Sequence, residues 1–505
     1  MSEETEQVGR LSPMEERFEL WRRRIGLFAG PLLALALYAM TGAWPAEQRR
    51  LAAVLVFVIV FWVTEAIPIP ATALLGPALC GLLGVAEVRV VLRAFADPVI
   101  FVFLGSFLLA RAMTANGLDR RVALGVLGSR FIGRSPARIR LAAGATAFLL
   151  SMWISNTATV AILFPIVVGI SDALDRLFAE GATRSYTTGL MLMIAYAASV
   201  GGMSTPIGSP PNLIGLGMID NLAGRRIPFF EWMVLALPIT LILFGLLAVL
   251  LRVLHPAPAR SIEGLAAAVA ELRQGIAPWG RAQSYTLVAF LTAVVLWVGP
   301  GALALLRGTS DPLYRAVSDR LHEGVVALLA ASLLFLLPVE WKPPRGALTW
   351  KEAVQIDWGT ILLFGGGLSL GGLMYSTKLA ERFAHGLLGA AGEPSLWTIT
   401  AVATLCAILV TETTSNTASA SMVVPVAIAV AQAAGVSPLP PALGATFGAS
   451  LAFMLPVSTP PNAIVYGSGR VSLLAMLRAG IWFDLLAFGL ILLLLRWLCP
   501  LLGLL

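Results

Sequence analysis

The chain has 505 residues, of which 58% are hydrophobic and 12% charged, whereas a soluble domain carries about 25% charge. A surface this apolar has to face lipid, which excludes a dissolved globular protein. The formal charge of +7 suits a nucleic-acid binder by number alone, but the arginines stand in short loops between apolar runs rather than on one basic face, so no nucleic-acid partner is expected.

Residues 1–24 mix acidic and basic side chains and read as a cytoplasmic tail. The first apolar run is too long, and followed by too many others, to be a cleaved signal. About 20 apolar residues cross about 30 Å of hydrocarbon. Runs of that kind fall near 25–43, 50–68, 70–86, 98–117, 186–222, 229–253, 283–300, 322–339, 358–376, 440–468 and 478–503. Two further runs, 141–171 and 397–431, are interrupted by Ser155-Asn156-Thr157 and Ser415-Asn416-Thr417. One helix over 141–171 would be about 46 Å long, whereas folding at the triplet gives arms of about 20 Å that stop part-way. The fold class expected is therefore an all-α polytopic membrane protein with about 11 transmembrane helices and two re-entrant hairpins. The segment 258–275, within a linker at 258–282, reads as an amphipathic surface helix.

Orientation follows from basic residues. Arg10, Arg17, Arg22, Arg23 and Arg24 precede the first span, and Arg120, Arg121, Arg130, Arg134, Arg138 and Arg140 follow the fourth. An even number of crossings separates the two groups, so the positive-inside rule places both in the cytoplasm, with Lys342, Arg345 and Lys351. Arg49, Arg50, Arg225 and Arg226 fall outside and weaken this bias without reversing it. The C-terminus is then outside, in a bacterial-type inner membrane.

The chain is duplicated. Asp97, Gly105, Ser151, the first triplet and Pro165 recur 260 residues later as Asp357, Gly365, Thr411, the second triplet and Pro425. Gly208-Ser209-Pro210-Pro211-Asn212 recurs 250 residues later as Ser458-Thr459-Pro460-Pro461-Asn462. An unpaired first span with the first repeat occupies 25–257 (hairpin 141–171, broken helix 186–222). The second repeat occupies 283–505 (hairpin 397–431, broken helix 440–468). An odd number of crossings per unit makes them inverted repeats.

Each Pro-Pro breaks its helix, because proline lacks an N–H and clashes with the preceding turn. Such breaks survive in a membrane only beside protein or a watery cavity. The freed carbonyls suit a hard cation such as sodium, and the N–H groups starting the next half-helix suit an anion. Ser-Asn-Thr at a hairpin tip adds uncharged hydroxyl and amide groups. None of the four motifs contains Lys, Arg or His, so bound cations are the candidates to neutralise an anion there. This pattern favours coupled transport.

These residues resemble the divalent anion:sodium symporter family, whose members carry dicarboxylates, citrate or sulfate. The likeness covers about residues 50–500. It includes Trp62-Val63-Thr64-Glu65-Ala66-Ile67-Pro68, Thr72-Ala73-Leu74-Leu75, both tips, both breaks, and Ser450, Phe453, Pro456, Asn462, Ile464 and Val465. It implies a homodimer with a fixed scaffold and a transport domain that slides like an elevator. One sodium is then expected around Ser151, Ser155, Asn156 and Gly208, and another around Thr411, Thr414, Asn416 and Ser458. Substrate carboxylates are expected at Asn156, Thr157, Ser209 and Pro210, and at Asn416, Thr417, Thr459 and Pro460. Co-transported sodium and a small anionic substrate, with no organic cofactor, complete the expectation.

The leading expectation is sodium-coupled symport of a C4-dicarboxylate such as succinate. Alternatives are a sodium-independent exchanger, or a cation/proton or inorganic-anion transporter of related architecture, although the latter place ionisable carboxylates at the helix breaks and none stands there. An enzyme is not expected: no His-Glu-x-x-His is present, and Gly365-Gly366-Gly367 lacks the context of a phosphate loop and reads as close helix packing. Glu65 is a candidate intramembrane acid, which by default is functional, but its place beside Pro68 near a span end suits an interfacial or structural role at least as well. Glu412 either shapes its hairpin or meets substrate, and Asp97 and Asp357 read as caps. Cys80, Cys406 and Cys499 have no paired spacing, and His255, His322 and His385 are scattered, so neither disulfide nor metal-ligand spacing is present.

Overall fold

The computed structural model describes residues 13–127, 135–178, 181–259, 278–308, 310–391 and 395–505. The first half runs α1 Pro13–Met40, α2 Ala46–Thr64, α3 Ile69–Leu82, α4 Val88–Arg93, α5 Pro98–Ala115, α6 Leu118–Leu127, α7 Pro136–Ser151, α8 Asn156–Leu177, α9 Arg184–Gly202, α10 Pro210–Ala223 and α11 Phe229–Leu254. The second half opens with α12 Arg281–Arg307, α13 Pro312–Arg320 and α14 Glu323–Leu336. Two short strands follow, β1 Pro338–Trp341 and β2 Pro344–Gly346. It closes with α15 Trp350–Ala353, α16 Trp358–Ser376, α17 Leu379–Ala391, α18 Leu396–Thr413, α19 Asn416–Ala433, α20 Leu439–Gly448, α21 Pro460–Gly467 and α22 Leu473–Leu501.

Among the described residues, nine helices are long and apolar enough to cross a membrane. Three of these, α8, α18 and α19, are hairpin arms, and α3 and α14 are shorter apolar helices. The arms hold 16, 22, 18 and 18 residues, or about 24–33 Å, longer than the expected 20 Å because the helices run on past the apolar runs to Leu177 and Ala433. Both runs do turn at their triplets. Both proline motifs also break their helices: Pro210-Pro211 and Pro460-Pro461 occupy the first turns of α10 and α21, where a missing N–H removes no helical bond.

One expectation needs correction. The fold is not purely α: β1 and β2 pair antiparallel, with Pro338 opposite Gly346 and Trp341 opposite Pro344. Pro338, Pro343 and Pro344 supply no N–H to carry α14 onward, so the chain turns into a ribbon. α1 begins at Pro13, so the described part of the segment 1–24 is helical. The surface helix expected over 258–275 lies, from residue 260 onward, outside the described residues.

The order of elements repeats, and the two copies exchange packing. α5 of the first unit packs on α14 of the second, while α16 of the second packs on α3 of the first. Likewise α10 packs on α19 and α20, and α21 on α8 and α9. Small residues permit this closeness: a methyl group on Gly105 would stand 2.6 Å from Ala327 O, and one on Gly366 would stand 2.1 Å from Ala73 O. The Gly365-Gly366-Gly367 run is thus a packing surface. Arg470, beyond α21, pairs with Asp172 and with Asp175 (3.1 Å) on α8, joining the two units again.

Asp97 and Asp357 cap α5 and α16, accepting from Val99 N at 2.9 Å and Thr360 N at 3.1 Å. Asp357→Ala is expected to cost about 1 kcal/mol, read as a lower unfolding midpoint in detergent that Asp357→Asn largely restores. Glu65, at the end of α2, pairs with Arg22 at 3.3 Å, an ion pair that fits the interfacial or structural alternative.

Candidate transport site

A helix that stops inside an apolar protein leaves carbonyls at its end and N–H groups at the start of the next helix, all needing partners. At the first tip α7 ends at Ser151 and Ser155 caps α8, its Oγ accepting from Ala158 N at 3.2 Å. Ser151 Oγ donates to Asn156 Oδ1 at 2.5 Å. The second tip repeats that bond, with Thr411 Oγ1 2.7 Å from Asn416 Oδ1; the same hydroxyl lies 2.8 Å from Ala449 O.

The two helix breaks are built alike as well. Asn212 Nδ2 donates to Gly202 O (2.8 Å) and Thr205 O (2.7 Å). Asn462 Nδ2 donates to Ala452 O (3.0 Å) and Leu455 O (3.1 Å), every partner lying 250 residues on. Both amides are buried, and among the described residues the Oδ1 of each meets no hydrogen-bond donor.

In the first unit the tip and the break meet. A methyl group built on Gly208 would stand 2.6 Å from Gly202 O, 2.8 Å from Ser151 O and 3.0 Å from Met152 O. One on Gly202 would stand 2.4 Å from Asn156 Oδ1 and 3.1 Å from Gly208 O. Oxygen atoms therefore crowd around these two glycines without a side chain between them, a donor set that suits a hard cation. In the second unit position 458 is serine, and its Oγ bonds to Leu455 O (2.7 Å) and Ala452 O (3.2 Å). Thr414 spends its hydroxyl proton on Val410 O at 2.8 Å. The copies thus share a plan but differ at one position, Gly208 in the first and the hydroxyl of Ser458 in the second.

Beside the first tip lies a cleft lined by Ser155, Thr157, Gly208 and Pro210, and by Ser106, Arg111, Trp153, Gln355 and Asp357. Ser209 is buried. Asn416, Thr417, Thr459 and Pro460 are not among the residues lining this cleft. Thr459 instead caps α21, its Oγ1 accepting from Asn462 N at 3.4 Å. Arg111 was not anticipated, because it stands alone inside the apolar run 98–117. Its guanidinium bonds to the Gln355 side chain and, at 3.3 Å, to Glu352 O. Glu352 itself is held below the usual carboxylate range, first by the Thr349 hydroxyl and backbone N–H, then by Arg345 and Arg111.

The transmembrane region of the sodium:sulfate symporters matches residues 19–505. The chain belongs to the sodium:sulfate symporter family. Sodium-dependent dicarboxylate transporters SdcS of Staphylococcus saprophyticus and Staphylococcus aureus are each 32% identical to it, over 94% of this chain and 91% of theirs. The solved structure of the Alcanivorax borkumensis YdaH transporter superposes with a TM-score of 0.54 at 14% identity, covering 90% of this chain and 98% of that one, a likeness of fold.

As a sodium:sulfate symporter family member the chain is an integral membrane transporter, and its intramembrane acids are of special interest. Glu412 Oε1 accepts from Phe453 N (2.7 Å) and Met454 N (2.9 Å). Of the two roles open to it, these bonds make it a support for the second break. Reasoning from motifs passed over Asp484, which is buried on α22, and assigned nothing to Asn212 and Asn462. The asparagines did carry a signal, since each closes its duplicated motif; Asp484 has no counterpart in the first repeat.

Proposed function

We propose that the chain is a secondary active transporter that couples sodium to the uptake of a C4-dicarboxylate such as succinate. One observation carries this reading: the oxygen atoms crowded around Gly202 and Gly208, Asn156 Oδ1 among them, beside a cleft with Gly208, Thr157 and Pro210 on its wall. A cation there would draw an anion to the N-terminus of α8, whose tip has no charge of its own. The SdcS relatives support the choice of sodium and of a dicarboxylate. The exchanged packing of the repeats supports an inverted pair, in which hairpins and broken helices form the moving part and the other helices a scaffold. Elevator motion, two sodium sites, substrate contacts from both repeats and a homodimer all belong to this proposal.

With about three cations per dianion, one net charge moves inward and gains about 2.3 kcal/mol per 100 mV. In liposomes holding the purified protein, an inward sodium gradient is expected to raise labelled succinate uptake about 10-fold or more over potassium alone, and an inside-negative potential to raise it further. Uptake that ignores the gradient and requires internal dicarboxylate would replace symport with exchange.

A further inference from the structure

Arg111 stands on α5, half-buried, inside the apolar run 98–117, where a permanent charge is costly and marks function by default. It lines the cleft beside the first tip, a space of about 380 Å³, within the roughly 300–1,000 Å³ of small-molecule sites. Among the described residues lining that cleft it is the one base, and Asp357 the one acid. Ser155, Thr157 and Pro210 line the same cleft without any charge.

The carboxylates nearby are committed elsewhere. Asp357 caps α16, accepting from Thr360 N at 3.1 Å and from Thr360 Oγ1 at 2.5 Å. Glu352 accepts from Thr349 N at 2.8 Å and Thr349 Oγ1 at 2.7 Å, and it pairs with Arg345 at 3.5 Å. Among the described residues Arg111 forms no ion pair. Its Nε donates to Glu352 O at 3.3 Å and its Nη2 to the side-chain oxygen of Gln355. Both acceptors are neutral, and a guanidinium has more N–H donors than these two bonds use. A carboxylate takes a guanidinium through two parallel bonds, each stronger than a bond to a neutral amide oxygen. An anion in the cleft is thus the better acceptor, and Gln355 the one it displaces.

We propose that Arg111 is a specificity-determining residue: its guanidinium receives one carboxylate of the dianion in the cleft and makes the transporter prefer doubly over singly charged anions. This role rests on the dicarboxylate reading above, because a substrate with one carboxylate at the tip has none to spare for Arg111. A purely structural Arg111 would only fasten α5 to α15 and the turn after it, and its loss would weaken every anion alike.

Competition against labelled succinate uptake, with sodium and with the full chain in liposomes, separates the two roles. Unlabelled succinate and its monoamide, succinamate, are nearly alike in shape but differ by one charge. In the wild type, half-inhibition by succinamate is expected to need about 10-fold or more the concentration of succinate. In Arg111→Gln that ratio is expected to fall to about twofold. A wild-type ratio near one, or a ratio unchanged in Arg111→Gln, overturns the role whatever happens to the uptake rate. The wild type alone gives a second measure, should the variant fail to fold. Phenylglyoxal modifies arginine side chains, and mass spectrometry of the peptide holding Arg111 reads the rate at that residue. With sodium, succinate at about ten times its half-saturating concentration is expected to slow that rate about fivefold or more. An unchanged rate overturns the role. If sodium drives no succinate uptake in the wild type, the dicarboxylate reading fails and takes this role with it. If succinate is taken up and the variant keeps the wild-type ratio, this role alone fails.

Discussion

Replacing Asn156 with Ala is expected to lower sodium-dependent uptake by about 100-fold, and Asn416→Ala to do the same. Asn156 Oδ1 is bonded to Ser151 Oγ and stands beside the carbonyls around Gly202 and Gly208. On the proposed reading its removal would strip a ligand from the cation and a polar contact from the substrate, and it leaves the Ser151 hydroxyl without its acceptor. Hydrogen bonds to charged groups contribute about 1.5–3 kcal/mol each, so two lost contacts amount to roughly 3 kcal/mol or more, equivalent to about 100-fold. Asn156→Asp separates the two roles. An added carboxylate keeps an oxygen for the cation but repels a dianion, so sodium should still raise the unfolding temperature while succinate no longer does. Uptake and binding unchanged in both alanine variants would point to a transporter that carries something other than a carboxylate.

Gly208→Ala should abolish sodium activation, again by about 100-fold or more. Its Cβ would lie 2.6, 2.8 and 3.0 Å from three main-chain carbonyl oxygens, closer than carbon and oxygen pack, and main chain cannot swing aside as a side chain does. Those oxygens would be pushed away from any ion they hold, and overpacking of this kind costs about 1–3 kcal/mol in stability as well. Gly245→Ala is the control, because it sits in α11 with open space where the methyl group would go. Sodium-driven succinate uptake and sodium-dependent thermal stabilisation should both fail in Gly208→Ala and survive in Gly245→Ala. Normal sodium activation of Gly208→Ala would show that the crowded oxygens around Gly202 and Gly208 are a packing detail.

Much of the architecture can be read from the chain because a membrane makes polar residues conspicuous. Ser155-Asn156-Thr157 and Ser415-Asn416-Thr417 interrupt long apolar runs, and both runs turn there. Pro210-Pro211 and Pro460-Pro461 open α10 and α21 after the breaks that follow Gly202 and Gly448, at first-turn positions where a missing N–H costs no helical bond. The ribbon after α14 and the short helices α4, α6, α13, α15 and α17 are not legible in the same way. They are brief, partly polar, and held by neighbours more than by their own periodicity.

The amino-acid sequence alone determined the apolar class of the chain, its duplication, and the two tips and two breaks, because each depends on residue type at a fixed spacing. It also marked Ser151, Asn156, Gly208, Thr411 and Asn416 as residues to watch. Only the tertiary structure decided what meets what. Much of the crowded donor set at the first tip is main-chain carbonyl, from Ser151, Met152, Gly202 and Gly208, and a carbonyl has no letter in the sequence. Arg111 beside Gln355, and Asp484 beside Glu412, are encounters between residues far apart in the chain. Side-chain chemistry is written locally, whereas the direction of a carbonyl and the distance between two charges are set by how the breaks and helices pack.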